Sequence, residues 1–415
     1  MSVTDFIDRI LKKRAISFLN VYDKYKLITG EEGKDGWESV GTLQQKPPLL
    51  LENVLSYDEM KIAAMVYVSG HTEFINDGHR QNKGIINEDN IEKNGVIIGI
   101  VGARLKRPGC MEQQDMLIYP RQNCPELGYG EHVAPATCLN VLRTSYVRNV
   151  HNGRQMYRQM WSEFYQVHSY TYNELITNIE ICDKPSKKDL YTDRYVKPPK
   201  REEIFDNEVF YKRNTIPCDC ALLDANFRAK EKGKMAFLNV IGIGLGVWRI
   251  SDHQRDVFIL TVLERTRYLL KRDQLHNIST VNMAYITPSD TIAALFKNEE
   301  MPSEKIIFLE CKKHPKGGIK VQLENREPSA KLIGDNEGHL LVTTYPWDGN
   351  AHPGNEFWLG SLSGSGDPAA ACSSQIAELH NAHINIGLNS NNTIVVGQHG
   401  VLPIKQYCKK LINDF

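Results

Sequence analysis

The sequence has no excess of charge of either sign. Its 415 residues include 50 basic and 50 acidic side chains, which give a formal net charge of zero with histidine neutral. A chain without net positive charge creates no long-range field that attracts nucleic acid or an anionic membrane. We therefore expect neither nucleic acid nor a membrane as a partner, and any binding site has to be built locally.

Long apolar segments and a cysteine framework are also missing. No window holds the roughly 20 apolar residues that cross a bilayer, and residues 1–14 alternate charged and apolar side chains instead of forming a signal-peptide core. The nine cysteines stand at irregular spacings. The close pair Cys218 and Cys220 has no second pair that would complete a zinc site. These absences predict a cytoplasmic protein of a reducing compartment.

The sequence does contain an alternation of apolar runs and segments of helical period. The runs that predict strands are 95–104, 111–119, 235–248, 279–287, 306–311, 317–325, 340–345 and 392–397. The segments that predict helices are 5–28, 55–69, 139–170, 219–232, 257–272, 290–297 and the part that ends at 415. Because strands and helices alternate, we predict an α/β fold with a mixed, mainly parallel sheet and helices on both faces.

The stretch 347–368, here called the acid loop, follows the apolar run 340–345. It contains Asp348, Glu356 and Asp367 together with two tryptophans, five glycines and two prolines. Open α/β sheets keep ligand sites in loops at the carboxyl ends of strands, and long loops without a helix are usually functional. Three carboxylates held together repel one another unless a polar or cationic group lies between them. We therefore predict a ligand site in the acid loop.

The end of the acid loop also fits the start of a helix, because Asp367 is a good N-cap and Pro368 suits the first helical position. One alternative is that Asp367 only caps this helix. Ser363 and Ser365 precede it in a tail rich in serine and glycine, and backbone N–H groups at a helix N-terminus can hold a diphosphate. We assign these two serines, and Asn350 in the same loop, to ligand binding.

A second candidate site is formed by Gly242, Gly244 and Gly246, which follow an apolar run at alternate positions. We call residues 242–246 the glycine turn. Glycine lets backbone N–H groups approach a phosphate closely. The spacing is not that of the dinucleotide-binding fingerprint, and the acidic ribose partner of that motif is missing at the expected distance. The open alternative is a strand whose glycines make room for a neighbouring helix.

Two turns that can bind anions and a cluster of acids suit a phosphorylated sugar better than a free metal ion. The turns would hold phosphates, and the acids would bind ribose hydroxyls or a cationic leaving group. Carboxylates are also hard ligands for divalent metals, but no histidine stands at a typical spacing to join them. We therefore expect no bound metal and no cofactor.

Several segments resemble the divergent arginine-specific macrodomains. They are 99–104, 240–248, 345–358 and 364–374, and the resemblance extends over roughly residues 95 to 400. It implies a macrodomain-like α/β fold that binds ADP-ribose or an ADP-ribosylated protein. It further implies hydrolysis of the bond from ADP-ribose to an arginine side chain. Ubiquitin is the substrate associated with a bacterial member of that family. The resemblance therefore implies ubiquitin as the protein partner.

The resemblance assigns roles to individual residues. The family has acidic residues around the distal ribose, and Asp348 and Asp367 fall at such positions. Glu356 occupies a third acidic position, where the family pattern has aspartate. The glycine turn would hold the diphosphate, and Asn226 is assigned to the ligand on a short local match. Leu105 stands where the pattern has an aromatic residue near the adenine.

A domain organisation and a mechanism complete the prediction. Residues 1–94 would form an N-terminal helical extension, and residues 95–415 the ADP-ribose-binding domain, with a polar insertion near 181–205. In the acid loop, one carboxylate would bind ribose hydroxyls and another would pair with the planar guanidinium of the modified arginine. The third would orient or deprotonate the attacking water.

Two other functions would leave nearly the same sequence. A non-catalytic reader of ADP-ribose or of an ADP-ribosylated protein needs the same turns and some of the acids. An interaction protein with a degenerate pocket would bind no ADP-ribose at all. The clustered acids favour the hydrolase, because repulsion between carboxylates destabilises a fold, and an interaction protein would have no use for them.

Overall fold

The computed structural model describes most of the chain. The described ranges are 1–19, 22–79, 81–82, 84–124, 127–128, 153–178, 193–296, 305–360 and 375–414. The chain divides into two compact units. Unit 1 comprises 1–102, 215–246 and 258–415, and unit 2 comprises 103–214 and 247–257.

The described residues form short strands and helices of very different length. The strands are β1 (Ser17–Leu19), β2 (Lys24–Lys26), β3 (Glu32–Lys34), β4 (Val68–Glu73), β5 (Asn94–Ile100), β6 (Leu117–Ile118), β7 (Tyr195–Val196), β8 (Ile204–Asp206), β9 (Ala236–Ile241), β10 (Ile278–Ala284), β11 (Ile306–Glu310), β12 (Gly318–Gln322), β13 (Leu340–Pro346), β14 (Ile394–Gly397) and β15 (Gly400–Pro403). The helices are α1 (Val3–Lys12), α2 (Tyr57–Ala63), α3 (Gln113–Met116), α4 (153–164), α5 (Tyr172–Asn178), α6 (Asn207–Glu231), α7 (His253–Lys271), α8 (Asp290–Leu295), α9 (Asn355–Trp358), α10 (Ile376–Leu379) and α11 (Ile404–Asn413).

A seven-stranded sheet is the centre of unit 1. Its strand order is β11-β12-β10-β9-β13-β5-β4. The inner strands, from β12 to β5, are parallel to one another, and the two edge strands β11 and β4 are antiparallel to their neighbours. The predicted mixed, mainly parallel α/β sheet is confirmed. The carboxyl ends of the parallel strands therefore lie at one common edge.

The inner strands are buried almost throughout. Every residue of β10 is buried, and so is every residue of β9 except the last. Apolar side chains on both faces are typical of parallel strands that are covered on both sides. Leu222 of α6 and Phe258 and Val262 of α7 lie around one small cavity with Leu238 and Val240 of β9. These two helices therefore cover one face of the sheet.

The N-terminal region differs from the predicted helix over 5–28. Helix α1 ends at Lys12, and β1, β2 and β3 follow as a small antiparallel sheet. The ring of Trp37 lies 4.5 Å from that of Phe18 and 5.7 Å from that of Tyr25, edge to face in both cases. Because these contacts involve a residue outside the predicted segment, tertiary packing outweighs the local helical period here.

Residues before position 95 also reach the central sheet. The predicted helix over 55–69 is shorter, because α2 is followed by β4, and β4 pairs antiparallel with β5. Residues 1–102 accordingly belong to the same unit as the sheet. The boundary between an N-terminal extension and the ligand-binding domain after residue 94 stays a prediction.

Some predicted elements lie outside the central sheet. The run 111–119 contains α3 and β6, and β6 joins β8 and β7 in a three-stranded sheet of unit 2. The run 392–397 contains β14, which forms a hairpin with β15. Residues 129–152 and 179–192 lie outside the described ranges, and with them part of the predicted helix over 139–170 and part of the polar insertion. Among the helices of the described residues, none is long and apolar enough to span a membrane.

Candidate ligand site at the carboxyl edge of the sheet

Three loops of unit 1 meet at the carboxyl edge of the central sheet. They follow β5, β9 and β13, and β13 lies between the other two strands. A Cβ atom added to Gly102, after β5, would lie 2.4 Å from the backbone nitrogen of Gly244, after β9. A Cβ atom added to Gly349, after β13, would lie 2.8 Å from Cγ2 of Val101. The glycine turn and the first part of the acid loop thus lie at the same edge, joined through the loop after β5.

Each glycine of the glycine turn has its own surroundings. Gly244 has a φ of +72°, in the left-handed region that favours glycine, and its backbone touches Gly102. A Cβ atom added to Gly242 would lie 3.3 Å from Cγ1 of Ile286, whereas one added to Gly246 would have no atom of the described residues within 4 Å. The loop after β5 therefore lies against Gly244, and the loop after β10 lies against Gly242.

The backbone of the glycine turn is accessible. Within the part of the chain that the structure describes, the N–H groups of Gly242, Gly244 and Gly246 donate no hydrogen bond. Gly246 is exposed, and the other two glycines are partly exposed. Backbone N–H groups that lack a protein acceptor and face solvent are available to an anion.

The described part of the acid loop is tightly folded. Asp348 is partly buried, and its Oδ1 accepts a hydrogen bond of 3.4 Å from the backbone N–H of Asn350, a residue with no exposed surface. The indole N–H of Trp347 donates to the carbonyl oxygen of Ala351 at 3.0 Å. Glu356 is partly buried in the first turn of α9. The remaining predicted site residues of this loop, Ser363, Ser365 and Asp367, lie outside the described ranges.

Asn226 is not at this edge of the sheet. Its Oδ1 accepts a hydrogen bond of 2.8 Å from the backbone N–H of Asn277, the residue just before β10. That position is the amino end of the parallel strands, whereas the glycine turn follows their carboxyl ends. The assignment of Asn226 to the ligand is therefore corrected, because its side chain connects α6 to the start of β10.

An aromatic residue that the sequence did not single out stands at the same edge as the glycine turn. Tyr285 directly follows β10, has a φ of +59° and exposes 55% of its surface. Its backbone N–H donates to Oδ1 of Asn325 at 2.7 Å, and its hydroxyl donates to Oε1 of Glu327 at 3.0 Å. Partial burial, together with the Glu327 carboxylate, raises the pKa of Tyr285 to about 12. A bulky residue in the left-handed region is uncommon and frequently marks a functional site.

Leu105, the residue that stands where the family pattern has an aromatic, is buried in unit 2. In the sequence, the only signal for Tyr285 is its position at the end of a buried strand. That signal is weak, because the left-handed φ angle of Tyr285 cannot be read from the sequence.

Among the described residues, no group of three or more histidine, cysteine, aspartate or glutamate side chains is arranged to hold a metal ion.

The sheet and the loops at its edge define an α/β protein in which an accessible glycine turn and the carboxylate of Asp348 lie at the carboxyl edge of a mainly parallel sheet. The chain belongs to the MavL-like ADP-ribosylhydrolases, because the family model described as "ADP-ribosylhydrolase MavL-like" matches residues 1–410. This match confirms that the sequence motifs identify an ADP-ribosylhydrolase family. The match also includes the first 94 residues, which those motifs did not cover.

Two curated relatives from Drosophila melanogaster support this membership. The chain is 38% identical over 420 residues to the ADP-ribosylarginine hydrolase CG2909, an alignment that covers 100% of this chain and 76% of the relative. It is also 38% identical over 420 residues to the ADP-ribosylarginine hydrolase CG3568, with 99% of this chain and 74% of the relative covered.

Proposed function

We propose that this chain hydrolyses the N-glycosidic bond between ADP-ribose and the arginine side chain of a modified protein. The observation that carries the proposal is the meeting of the glycine turn with the acid loop at one edge of the sheet. One end of the site offers N–H groups to phosphate, and the other offers carboxylates to a sugar and a guanidinium. The names of the two relatives agree with an arginine linkage.

The order of the strands gives the bound ligand a direction. Tyr285 follows β10, the glycine turn follows β9, and Asp348 follows β13, and these three strands are neighbours. Neighbouring strands are about 4.8 Å apart, so the three positions extend over roughly 10 Å. We place the adenine on the ring of Tyr285, the diphosphate on the glycine turn and the distal ribose at Asp348.

The chemistry needs little beyond the carboxylates and water. One acid of the set Asp348, Glu356 and Asp367 binds the ribose hydroxyls, and a second pairs with the guanidinium. The third takes a proton from water, whose oxygen attacks the anomeric carbon as the bond to the arginine nitrogen breaks, and that proton ends on the departing nitrogen. The positive charge that develops on the ribose in the transition state is stabilised by the nearby carboxylates. The products are free ADP-ribose and an unmodified arginine.

The catalytic assignment is tested by replacing one acid at a time. Asp348→Ala, Glu356→Ala and Asp367→Ala are incubated with a protein ADP-ribosylated on arginine, and release of ADP-ribose is followed. We expect each variant to lose roughly 100-fold or more in turnover, as is usual when a catalytic or charge-stabilising group is removed. Asp335→Ala is the matched control, because Asp335 is exposed and precedes β13, at the opposite edge. Wild-type turnover in all three variants would refute the assignment.

A second experiment separates the hydrolase from a reader. Free ADP-ribose is titrated calorimetrically into the wild type, and release is then measured from arginine-modified ubiquitin and from an unrelated arginine-modified protein. Binding without release from either substrate favours the reader. Release from ubiquitin alone supports ubiquitin as the partner, and equal release from both indicates that the arginine linkage is what is recognised.

A further inference from the structure

The N-terminal segment contacts the acid loop directly. The guanidinium carbon of Arg14, which lies between α1 and β1, is 4.3 Å from the ring centroid of Trp347. Arg14 exposes 4% of its surface and Trp347 exposes 1%. A guanidinium at this distance from an indole face is held by a cation–π contact, which is stronger where water is excluded. Arg14 therefore fixes the ring that immediately precedes Asp348.

The backbone reinforces this contact. Ala15 forms a parallel bridge with Ala351, and the backbone N–H of His352 donates to the carbonyl oxygen of Ala15 at 2.9 Å. The same Ala351 accepts the indole N–H of Trp347 at its carbonyl oxygen. On one side of Asp348, the ring of Trp347 contacts the side chain of Arg14. On the other side, the main chain of Ala351 pairs with that of Ala15.

The charge of Arg14 affects the pKa of a histidine in the acid loop. Burial, and after it the charges of Arg14 and His383, lower the pKa of His352 to about 3. His352 is therefore neutral at physiological pH, and its ring lies 5.1 Å from that of His383. Arg14 is thus a buried cation next to a segment that carries acids.

We propose that Arg14 is a positioning residue of the hydrolase, which holds Trp347 and thereby sets the position of Asp348 against the distal ribose. This inference rests on the proposed function, in which Asp348 acts on the ribose. It gives the N-terminal segment a part in the reaction without contact to the substrate. Because the diphosphate and the adenine bind at other loops, displacement of Asp348 lowers kcat more than it raises KM.

A matched set of variants separates positioning from stability. Arg14→Met keeps the aliphatic stem and removes the charge, and Arg14→Lys keeps the charge without the planar group. Arg9→Met is the control, because Arg9 lies in the same N-terminal segment and pairs with Glu59 at 2.7 Å, away from the acid loop. Trp347→Leu and the double variant with Arg14→Met complete a double-mutant cycle.

For Arg14→Met we expect kcat to fall by roughly 10- to 100-fold with KM within about threefold, since small displacements of a catalytic group have such effects. Arg14→Lys should recover part of the loss. The double variant should be no worse than Trp347→Leu alone, because both changes act on the same ring. Arg9→Met should unfold at a lower temperature than the wild type and keep its kcat.

Other outcomes overturn the inference. A kcat for Arg14→Met equal to that of the wild type, an equal kcat loss in Arg9→Met, or additive losses in the cycle would each show that Arg14 has a structural role only. If the wild type releases no ADP-ribose from any arginine-modified protein, the proposed function fails first. The two failures are therefore distinguishable in one set of assays.

Discussion

Tyr285 combines a left-handed backbone with an exposed ring. Such a backbone costs a non-glycine residue about 1–3 kcal/mol. We expect Tyr285→Gly to raise the free energy of unfolding by about 1 kcal/mol. The same change should weaken binding of free ADP-ribose by roughly tenfold, because base stacking is lost. Denaturant titration and calorimetry measure the two effects separately.

Tyr285→Phe is the control for the ring. It removes the hydroxyl that donates to Glu327 and keeps the aromatic face, so the affinity for ADP-ribose should stay close to that of the wild type. A Tyr285→Gly variant that binds ADP-ribose as tightly as the wild type would mean that the ring does not touch the ligand.

Gly102 is the residue that allows the loop after β5 to touch the glycine turn. A methyl group there would lie 2.4 Å from the backbone nitrogen of Gly244, too close for either backbone to stay in place. We expect Gly102→Ala to reduce the affinity for ADP-ribose by roughly tenfold or more, with a stability loss of about 1–3 kcal/mol from overpacking. Calorimetry and thermal unfolding test this together.

Gly153→Ala provides the comparison for this change. Gly153 lies in α4, and no atom of the described residues lies within 4 Å of an added Cβ atom. Alanine is the better helix former, so this variant should be at least as stable as the wild type and bind equally well. An affinity loss as large as that of Gly102→Ala would attribute the effect to something other than the glycine turn.

At the scale of elements, unit 2 contains a buried ion triad that connects α6 to the region of α3. Glu112 accepts hydrogen bonds from Arg104 at 2.9 Å and from Arg213 at 3.2 Å, and none of these side chains is exposed. Burial alone would raise the pKa of Glu112, but the charges of Arg104 and Arg213 outweigh it and lower this pKa to about 2. The triad therefore stabilises the fold while Glu112 is ionised.

The pH dependence of unfolding follows from this pKa. A carboxylate with a lowered pKa contributes stability that is complete above its unfolded value of 4.5 and is lost as the pH falls through about 2. The contribution is on the order of 3 kcal/mol. We expect urea unfolding to show a falling free energy between these pH values in the wild type.

Glu112→Gln tests the origin of that loss. The variant should be less stable than the wild type at pH 7 by a similar or larger amount, because two buried arginines lose their carboxylate. Its free energy of unfolding should also change less between pH 5 and pH 2. Glu88→Gln, which removes a largely exposed pair with Lys93, should change the stability by less than about 1 kcal/mol. A steep acid loss that persists in Glu112→Gln would assign it to other groups.

The sequence predicted the elements whose signal is local. The runs at 235–248, 279–287 and 340–345 contain β9, β10 and β13, because strands buried on both faces are apolar throughout. The helix over 5–28 was wrong beyond Lys12, because contacts of Phe18 and Tyr25 with Trp37 decide the structure there. The spacing of apolar residues along a segment carries no information on contacts with residues outside that segment.

For the whole molecule, the difference between local sequence signals and contacts of distant residues also decides which parts of the candidate site could be predicted. Parallel strands with loops at their carboxyl ends bring the glycine turn and Asp348 to one edge, and that convergence follows from the fold class. The position of Asn226 depends on one hydrogen bond to Asn277, and the contact of Arg14 depends on two distant segments that meet. Neither contact has a pattern in the sequence.

The bridge between Ala15 and Ala351 joins residues from opposite ends of the chain. During synthesis, Arg14 leaves the ribosome long before Trp347, so the contact between their side chains forms only after the acid loop has been made. Contacts of such wide sequence separation form late and slow the folding of a chain. A nascent fragment that stops before Trp347 therefore lacks the contact with Arg14.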